Sequence, residues 1–358
     1  MTALLNRRTF SLAAAIAPFS GITACAAIAP SAATSQTPLN WTPLADMPFP
    51  VQEIYPAAFE IDGREVIINA GGLTPWDNAS FNVTDLVTIY DTTENNWRFG
   101  APLPEPRHHI GLVAVGNAMF GVSGFARDDV GGWQMQTNLW RSDNIDRGPW
   151  EAMRPLPVPQ SEPVIMVVDD KIHVIGGRTP AGERNLEWND QTDTDRHWIY
   201  DPESDQWVER APLPMARNSA SGAFLDGKIY VVSGRTVAHG NTPRVDVYDP
   251  TSDIWEGAPS LPKPLSQSAP RGQGGLAVAV WQNQLLAFGG EWFGDAGGVY
   301  TDVWILNPEK AEWTHGGVMP RPRHGLGAVT LSDGIYLVGG ASEVGGEGTT
   351  GFLDRVTF

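Results

Sequence analysis

One stretch in the middle of the chain alternates short apolar runs with polar turns, in a way that predicts a four-stranded antiparallel unit. The runs Ser219–Leu225 and Lys228–Val232 flank the pair Asp226-Gly227. An Asp-Gly pair between two β-forming runs indicates a hairpin, because both residues tolerate the positive φ of a tight turn. The run Val245–Tyr248 alternates as a third strand, and Trp255 opens a fourth. The pattern therefore predicts a meander of about 50 residues.

The same unit recurs six times along the chain. Each copy closes its second strand with a pair of small residues, and successive pairs are 50 to 57 residues apart. These pairs are Gly71-Gly72, Ser123-Gly124, Gly176-Gly177, Ser233-Gly234, Gly289-Gly290 and Gly339-Gly340. A tryptophan opens each fourth strand, at Trp41, Trp97, Trp150, Trp207, Trp255 and Trp313. Two independent markers with the same period predict six structural repeats.

The small-residue pair, a Tyr-Asp-Pro turn and the spaced tryptophan together resemble the Kelch repeat. The resemblance covers Trp41 to Phe358 and implies an all-β fold, a six-bladed Kelch β-propeller around a central channel. The repeats begin with a fourth strand at Trp41 and end after a third strand, Leu353–Phe358. We therefore expect the N-terminal strand to complete the sixth blade with the three C-terminal strands, which removes two open sheet edges. The fold hosts many activities, so the resemblance implies no single function.

The first 37 residues do not follow the repeat, and we expect the propeller to span residues 38–358. Arg7-Arg8 and the apolar run Leu12–Ala29 resemble a twin-arginine export signal, which predicts a periplasmic protein. The residues Ile22–Cys25 also resemble a lipobox, in which case Cys25 would carry a lipid that anchors the protein to a membrane. The alternative is ordinary signal-peptide cleavage after a nearby alanine.

The charge and the cysteine content narrow the classes of partner and chemistry. A net charge of −17 argues against nucleic acid and anionic membrane surfaces as partners. We also expect the protein to be a monomer. Cys25 is the only cysteine, so the propeller has neither a disulfide nor a thiol nucleophile. It also lacks the cysteine for the Cys–Tyr cross-link of galactose oxidase, a Kelch enzyme that uses copper. No spacing among the histidines is diagnostic of a metal site, so no metal or cofactor is predicted.

Strand directions place the variable loops on one face of the predicted propeller. In a four-stranded meander, the loop that precedes the first strand and the loop that leaves the second lie on the same side. These loops are long and differ between repeats, whereas the turns on the other face are short and similar. Variable loops on a rigid scaffold are the usual place for function. We therefore expect the site at the mouth of the channel on this loop face.

Counting back from the small-residue pairs aligns the starts of the first strands. Sixteen residues before the second member of a pair stand His108, Ser161, Asn218, Gly274 and His324. In the first repeat, which has one more residue in its hairpin, Tyr55 falls near the same level. The arginines one position earlier are Arg107, Arg217 and Arg323. We expect these arginines near the channel mouth, together with two that follow second strands, Arg178 and Arg235.

The arginines predict a pocket for an acidic sugar, because a guanidinium group presents a rigid fork that suits a carboxylate. For Arg107, Arg217 and Arg323 the alternative is a structural role, in which each ties blades together through an aspartate or backbone carbonyls. Trp188 and Trp292 lie in loops after second strands, where their rings could stack on a sugar or pack beneath the loop.

Candidate proton-transfer residues lie on the same face. His108 and His324 have side chains that titrate near neutral pH, and Tyr55 and Glu291 complete the catalytic set. Other titratable side chains there include Glu53, His109 and Glu162. The exported bacterial N-acetylneuraminate epimerases, which are sialic acid mutarotases, are similar six-bladed Kelch proteins. That resemblance implies a role for Glu291, which follows a strand-two glycine, whereas Tyr300 stands where the family has an arginine.

The sequence therefore predicts an exported protein that acts on an acidic sugar of the uronic or sialic acid type. The reaction would be a proton transfer, such as epimerisation, mutarotation or lyase-type elimination, in a pocket at the channel mouth. Two alternatives remain: a non-catalytic propeller that binds glycan or protein, and a metal-dependent oxidoreductase.

Overall fold

The computed structural model describes residues 38–75, 82–127, 132–294 and 297–358. The predictions of an export signal and of a lipid on Cys25 fall on residues outside these ranges. The described chain is almost entirely β-structure, and a short 3-10 helix at Trp188–Asp190 interrupts one loop. No helix in the described ranges has the length and apolar character to cross a membrane.

The strands form six antiparallel four-stranded sheets, numbered here as blades in chain order. Blade 1 contains Ala57–Ile61, Arg64–Ala70, Val87–Asp91 and Asn96–Phe99. Blade 2 contains Gly111–Val115, Ala118–Val122, Leu139–Ser142 and Glu151–Ala152. Blade 3 contains Val164–Val168, Lys171–Ile175, His197–Asp201 and Gln206–Glu209. Blade 4 contains Ser221–Leu225, Lys228–Val232, Val245–Asp249 and Ile254–Ala258. Blade 5 contains Ala277–Trp281, Gln284–Phe288, Asp302–Asn307 and Glu312–Val318. Blade 6 contains Gly327–Leu331, Gly334–Val338, Leu353–Thr357 and the N-terminal strand Asn40–Pro43.

The blades close into the predicted six-bladed β-propeller. The first strand of each blade contacts the first strands of both neighbouring blades, and the sequence of contacts returns from blade 6 to blade 1. The N-terminal strand pairs antiparallel with the last strand, with Trp41 opposite Val356. The shared sixth blade is therefore confirmed, and this pairing covers the edge that the last strand would otherwise expose.

Local turn chemistry agrees with the sequence pattern. Asp226 and Gly227 adopt φ of 51° and 75°, the conformation that the hairpin prediction requires. The fourth-strand tryptophans also link neighbouring blades. The indole Nε1 of Trp255, for example, donates to the carbonyl oxygen of Ala211 at 2.9 Å, and that of Trp313 donates to Pro259 at 2.7 Å.

The apolar core is divided among the blade interfaces. Six clusters of buried side chains each combine residues from two adjacent blades. In one of them, Val232 of blade 4 lies in the same cluster as Leu285 and Trp304 of blade 5. Each blade therefore buries side chains on both of its faces, which holds the ring of blades rigid.

A central cavity of about 360 Å³ is lined largely by the first strands. Glycines allow these strands to approach closely. A Cβ on Gly111 would lie 1.9 Å from the side chain of Ile165, and one on Gly327 would lie 2.1 Å from Pro56. Beyond five of the second strands, two-stranded extensions such as Arg178–Pro180 with Gln191–Asp193 project on the loop face.

Candidate functional site

Six residues in the left-handed backbone region, one from each blade, form a ring at the loop-face mouth of the channel. This mouth ring consists of Glu53, His109, Glu162, Ser219, Gly275 and Gly325, with φ between 49° and 64°. Four backbone N–H groups of the ring donate to the carbonyl of an adjacent member at 2.7–2.9 Å. Left-handed residues other than glycine are strained and cluster at functional sites. The mouth ring is therefore a rigid frame that presents four functional side chains.

A second set of equivalent positions lies next to the mouth ring. The residue after each small-residue pair forms a β-bridge with the residue before each ring member. From blade 1 to blade 6 these residues are Leu73, Phe125, Arg178, Arg235, Glu291 and Ala341. The charged members thus come from three consecutive blades, 3 to 5, and the apolar members come from the other three. Within this second set, therefore, the charged side chains lie on one side of the mouth and the apolar ones on the other.

The mouth pocket is a cavity of about 170 Å³ between these two sides. Its polar lining includes Glu53, His108, His109, Glu162, Arg235 and Glu291. Its apolar lining includes Leu73, Phe125, Trp133, Trp188 and Phe293. Aromatic walls with a few convergent polar groups are typical of a small-molecule site.

Each of the three mouth carboxylates has a cationic partner. Glu162 Oε2 lies 3.2 Å from Arg178 Nε, and Glu291 Oε1 lies 2.8 Å from Arg235 Nη1. Burial opposes ionisation of Glu162, but Arg178, His109 and Arg235 outweigh it and lower the pKa of this carboxyl to about 2. The ionised form also accepts a hydrogen bond from the hydroxyl of Ser219. The mouth therefore holds ionised carboxylates in a buried setting, which isolated charges could not tolerate.

The third carboxylate begins a chain of hydrogen-bonding groups. Glu53 Oε2 lies 2.7 Å from His109 Nε2, and His109 Nδ1 lies 2.7 Å from His108 Nδ1. Burial opposes both charges of the first pair, but their attraction outweighs it, so that the pKa of Glu53 is far below and the pKa of His109 above the usual value. Burial and the charge of His109 together lower the pKa of His108. His108 Nε2 has no hydrogen-bond partner among the described residues.

The two mouth arginines line a neighbouring cavity of about 400 Å³, the arginine pocket. It shares Trp188, Arg235 and Phe293 with the mouth pocket. The guanidinium of Arg178 lies 4.0 Å from the ring centroid of Trp188, and that of Arg235 lies 5.1 Å from the ring of Phe293. Arg178 is almost fully buried, and its Nε and Nη1 groups make no hydrogen bond with any described residue. Its Nε is already paired with the carboxylate of Glu162 at 3.2 Å, so Nη1 is the donor that lacks a partner.

Three of the predicted arginines do not reach the mouth. Arg217 is buried and bonds to Asp246 and to the carbonyls of Ser233 and Val231 in its own blade. Arg323 makes the equivalent bonds to Asp354, Gly339 and Leu337. Arg107 is buried and bonds to Glu105, Asn138 and its neighbouring carbonyl. The structural alternative holds for these three, because each guanidinium bonds within the blade framework instead of lining the mouth pocket.

The other predicted residues lie at or beside the mouth. His108, Glu291, Arg178 and Arg235 line its two pockets. His324 is fully buried, with its ring between the carboxylates of Glu53 and Glu291. Trp188 is half exposed, and Trp292 packs on Tyr300 at 4.8 Å while it lines the arginine pocket.

The alignment of the first repeat is wrong at Tyr55. Gln52 makes the bridge to Leu73 that corresponds to the bridge between His108 and Phe125. Tyr55 lies three residues further on, where its ring packs 5.7 Å from that of His109 and lines the central cavity. Burial and the carboxylates of Glu162 and Glu53 raise the pKa of Tyr55.

Sequence reasoning placed Glu53, His109 and Glu162 on the loop face as possible proton-transfer residues, but it did not recognise them as a ring and it missed Ser219. In repeats 2 to 6 the signal was present, because the ring member stands one residue after the position aligned by the small-residue pair. A turn to positive φ at that residue cannot be inferred from Glu, His or Ser, which rarely adopt it.

We expect the stability contribution of Glu162 to depend on acid pH. Its pKa is about 2 in the folded protein against an ordinary value of 4.5. A lowered pKa contributes stability above pH 4.5, and this contribution is lost as the pH falls from there toward 2. Urea unfolding of the wild type should therefore lose more free energy over this interval than unfolding of Glu162→Gln. The exposed Glu312→Gln variant should follow the wild type, and equal slopes for wild type and Glu162→Gln would contradict the assignment.

The six blades and the polar mouth define a Kelch-type six-bladed β-propeller with a pocket at the loop face. Residues 138–340 match the family described as the KLHDC2/KLHL20/DRC7 Kelch-repeats domain, and the chain belongs to this Kelch-repeat family.

Three similar proteins match this chain over different shares of their own length. Kelch-like protein terF of Aspergillus terreus is 25% identical over 325 residues, which cover 87% of this chain and 67% of that protein. Beta-scruin of Limulus polyphemus is 23% identical over 263 residues, which cover 71% of this chain and 27% of that protein. Kelch repeat and BTB domain-containing protein 12 of Danio rerio is 32% identical over 136 residues, or 36% of this chain and 22% of that protein. The chain thus spans about a quarter of the length of the last two proteins.

A solved structure shares the fold over nearly the whole propeller. The structure of YjhT superposes with a TM-score of 0.69 at 16% identity, and the match covers 88% of this chain and 98% of that one. At this identity the likeness shows a common fold.

Proposed function

We propose that this Kelch propeller binds an acidic sugar at the channel mouth and moves a proton on it. The observation that carries the proposal is the buried guanidinium of Arg178, which lines the arginine pocket and whose Nη1 lacks a hydrogen-bond partner among the described residues. A carboxylate of a uronic or sialic acid would accept a hydrogen bond from Arg178 and would be attracted by the positive charge of Arg235. The rings of Trp188 and Trp292 would contact the apolar face of the sugar.

The proton would pass through His108. The chain Glu53–His109–His108 connects a carboxylate to two imidazoles at 2.7 Å per step. When His109 is charged, its Nε2 donates to Glu53 and its Nδ1 donates to Nδ1 of His108, so Nε2 of the neutral His108 carries a proton. Transfer of this proton from Nε2 to the sugar, with the His109 proton passing to Nδ1 of His108, and the later return of both would support epimerisation or mutarotation without an oxidant or reductant. His108 and Arg235 line the same mouth pocket, so one sugar could meet both.

We also propose that residues 1–37 direct export of the protein to the periplasm. Either Cys25 then carries a lipid, or the signal peptide is cleaved off. An acidic sugar would meet the pocket there as a free molecule or as the end of an oligosaccharide. No nucleic acid is involved in this proposal.

Calorimetric titration with glucuronate or N-acetylneuraminate, in the presence of EDTA, tests the binding step. We expect Arg178→Gln to weaken binding about 10- to 100-fold, because it removes hydrogen bonds to a charged group. Arg184→Gln, in the same loop but with an exposed side chain, should bind like the wild type. Glucose should bind far more weakly than glucuronate. Equal binding of the two sugars, or an Arg178→Gln variant with normal affinity, would contradict the proposal.

A protein-binding role is the second candidate, and exposed apolar side chains favour it. Trp188, Val237 and Phe293 are 49%, 47% and 60% exposed and lie around the arginine pocket. Apolar side chains rimmed by charge are typical of interaction surfaces. In this case Phe293→Ser would abolish capture of a protein partner, while no free acidic sugar would bind.

A further inference from the structure

We propose that Glu53, Glu291 and His324 form a site for one divalent transition-metal ion, of the Zn²⁺ or Mn²⁺ type. The three residues come from blades 1, 5 and 6 and meet beside the mouth pocket. Each offers one ligand atom, and these atoms lie within 4.8 Å of one another. The inference goes beyond the proposed function, because the proton transfer through His108 needs no metal.

The distances suit ligands of a common ion. His324 Nδ1 lies 3.6 Å from Glu53 Oε1. This separation is too long for a good hydrogen bond. Two ligand atoms bound to one tetrahedral ion at about 2.1 Å each are separated by about 3.4 Å. The spacing is therefore closer to that of metal ligands than to that of hydrogen-bonded groups.

The hydrogen bonding of His324 leaves one ring nitrogen ready for a cation. Nε2 lies 2.8 Å from the carbonyl oxygen of Glu343, and a carbonyl only accepts, so Nε2 carries the proton. Nδ1 of the neutral ring then presents a lone pair, and it has no hydrogen-bond partner among the described residues. This lone pair faces a carboxylate oxygen of Glu53, and a cation between the two would relieve their repulsion. A histidine that donates to a backbone carbonyl with its other nitrogen is the usual arrangement in metal sites.

The carboxylates are oriented by outer contacts. His109 holds Oε2 of Glu53 at 2.7 Å, which leaves Oε1 toward His324. Arg235 holds Oε1 of Glu291 at 2.8 Å, and the N–H of Gly345 donates to its Oε2 at 2.8 Å. Such outer contacts fix ligand geometry in metal sites.

A glycine makes room for one of the ligands. A Cβ on Gly325, which has φ of +56°, would lie 2.8 Å from the carboxylate of Glu53. Glycine at this ring position therefore lets the Glu53 carboxylate lie against the backbone beside His324.

The donor set indicates the class of ion. Two carboxylates and a neutral imidazole supply two oxygen ligands and one nitrogen ligand. Imidazole favours Zn²⁺ or Fe²⁺ over Ca²⁺ and Mg²⁺, which prefer all-oxygen sites, and the two carboxylates also suit Mn²⁺. Three protein ligands leave at least one coordination position for water or a ligand oxygen. Glu53 and Glu291 line the mouth pocket, so that position would be accessible from it.

The test is titration of the full chain, stripped with EDTA and free of any histidine tag, with Zn²⁺ or Mn²⁺ alone. We expect one ion per chain by calorimetry and a rise in melting temperature on binding. His324→Gln and Glu53→Gln should each weaken binding at least about 10- to 100-fold, the loss typical of even an outer contact. Circular dichroism establishes that each variant is folded, and Glu53→Gln decides the test if His324→Gln does not fold.

Two variants serve as controls. Glu312→Gln removes an exposed carboxylate of blade 5, and His239→Gln removes an exposed imidazole that is not a proposed ligand. Both should bind the ion with wild-type affinity. No ion bound by the wild type, or unchanged affinity in folded Glu53→Gln, would overturn the metal site. Sugar binding measured in EDTA bears only on the arginine pocket, so the two proposals can fail separately.

Discussion

Replacing Asp246 by alanine should lower the free energy of unfolding by about 3–5 kcal/mol. Asp246 and Arg217 are fully buried and lie 2.8 Å apart. Removal of the carboxylate would leave the Arg217 guanidinium charged and buried, with the backbone carbonyls of Ser233, Val231 and Met215 as partners and no counter-charge of its own. The penalty comes from the uncompensated charge rather than from the intrinsic strength of the pair. Equilibrium urea unfolding measures the change.

Asp143→Ala is the matched control for this prediction. Asp143 pairs with Arg141 on the surface, where the two side chains are 65% and 36% exposed, and such pairs contribute about 0–1 kcal/mol. Arg217→Met should also cost less than Asp246→Ala, because Arg244 still pairs with Asp246 at 2.7 Å. A loss below about 1 kcal/mol for Asp246→Ala would show that the pair does not hold the blade together.

His108→Gln should reduce the rate of proton transfer on an acidic sugar by about 10²- to 10⁴-fold, the usual contribution of a general base or acid. The glutamine keeps much of the side-chain volume but cannot exchange a proton at the position of Nε2. The affinity for the sugar should change little, because the carboxylate is held by Arg178 and Arg235. NMR exchange spectroscopy on glucuronate or N-acetylneuraminate measures the rate, and calorimetry measures the affinity.

His239→Gln is the control for the histidine substitution, since His239 is exposed at the rim of the arginine pocket and outside the proton chain. It should retain the wild-type rate. If His108→Gln loses affinity and rate together, His108 is a binding residue. If neither changes, the proton does not pass through this chain. If the wild type binds the sugar without accelerating exchange, the propeller is a glycan-binding module.

Three successive residues show how finely the site depends on position. Arg217 bonds inside its blade, Asn218 forms the bridge to Arg235, and Ser219 belongs to the mouth ring. Alignment of the repeats identified the positions of Arg217 and Asn218. The positive charge of the arginines then made them the predicted site residues. The ring position carries Glu53, His109 and other side chains of unlike chemistry, so it leaves no compositional signature in one sequence.

The candidate metal ligands illustrate the same limit. Glu291 and His324 were predicted as separate proton-transfer residues, and Glu53 was one of the further acid/base candidates on the loop face. Closure of the ring brings blades 1, 5 and 6 together and places His324 between the two carboxylates. No spacing along the chain encodes this contact, because the ligands belong to different repeats.

The sequence by itself determined the β-propeller, the number of its blades and the closure of the sixth blade. These features follow from local signals, namely hairpin turns such as Asp226-Gly227 and a repeated tryptophan, which act within one blade or between neighbours. Only the tertiary structure decided which side chains meet at the channel mouth. Side-chain direction reverses with each residue of an extended chain, and a single left-handed residue redirects it again. The mouth also exists only after six blades have closed around one axis.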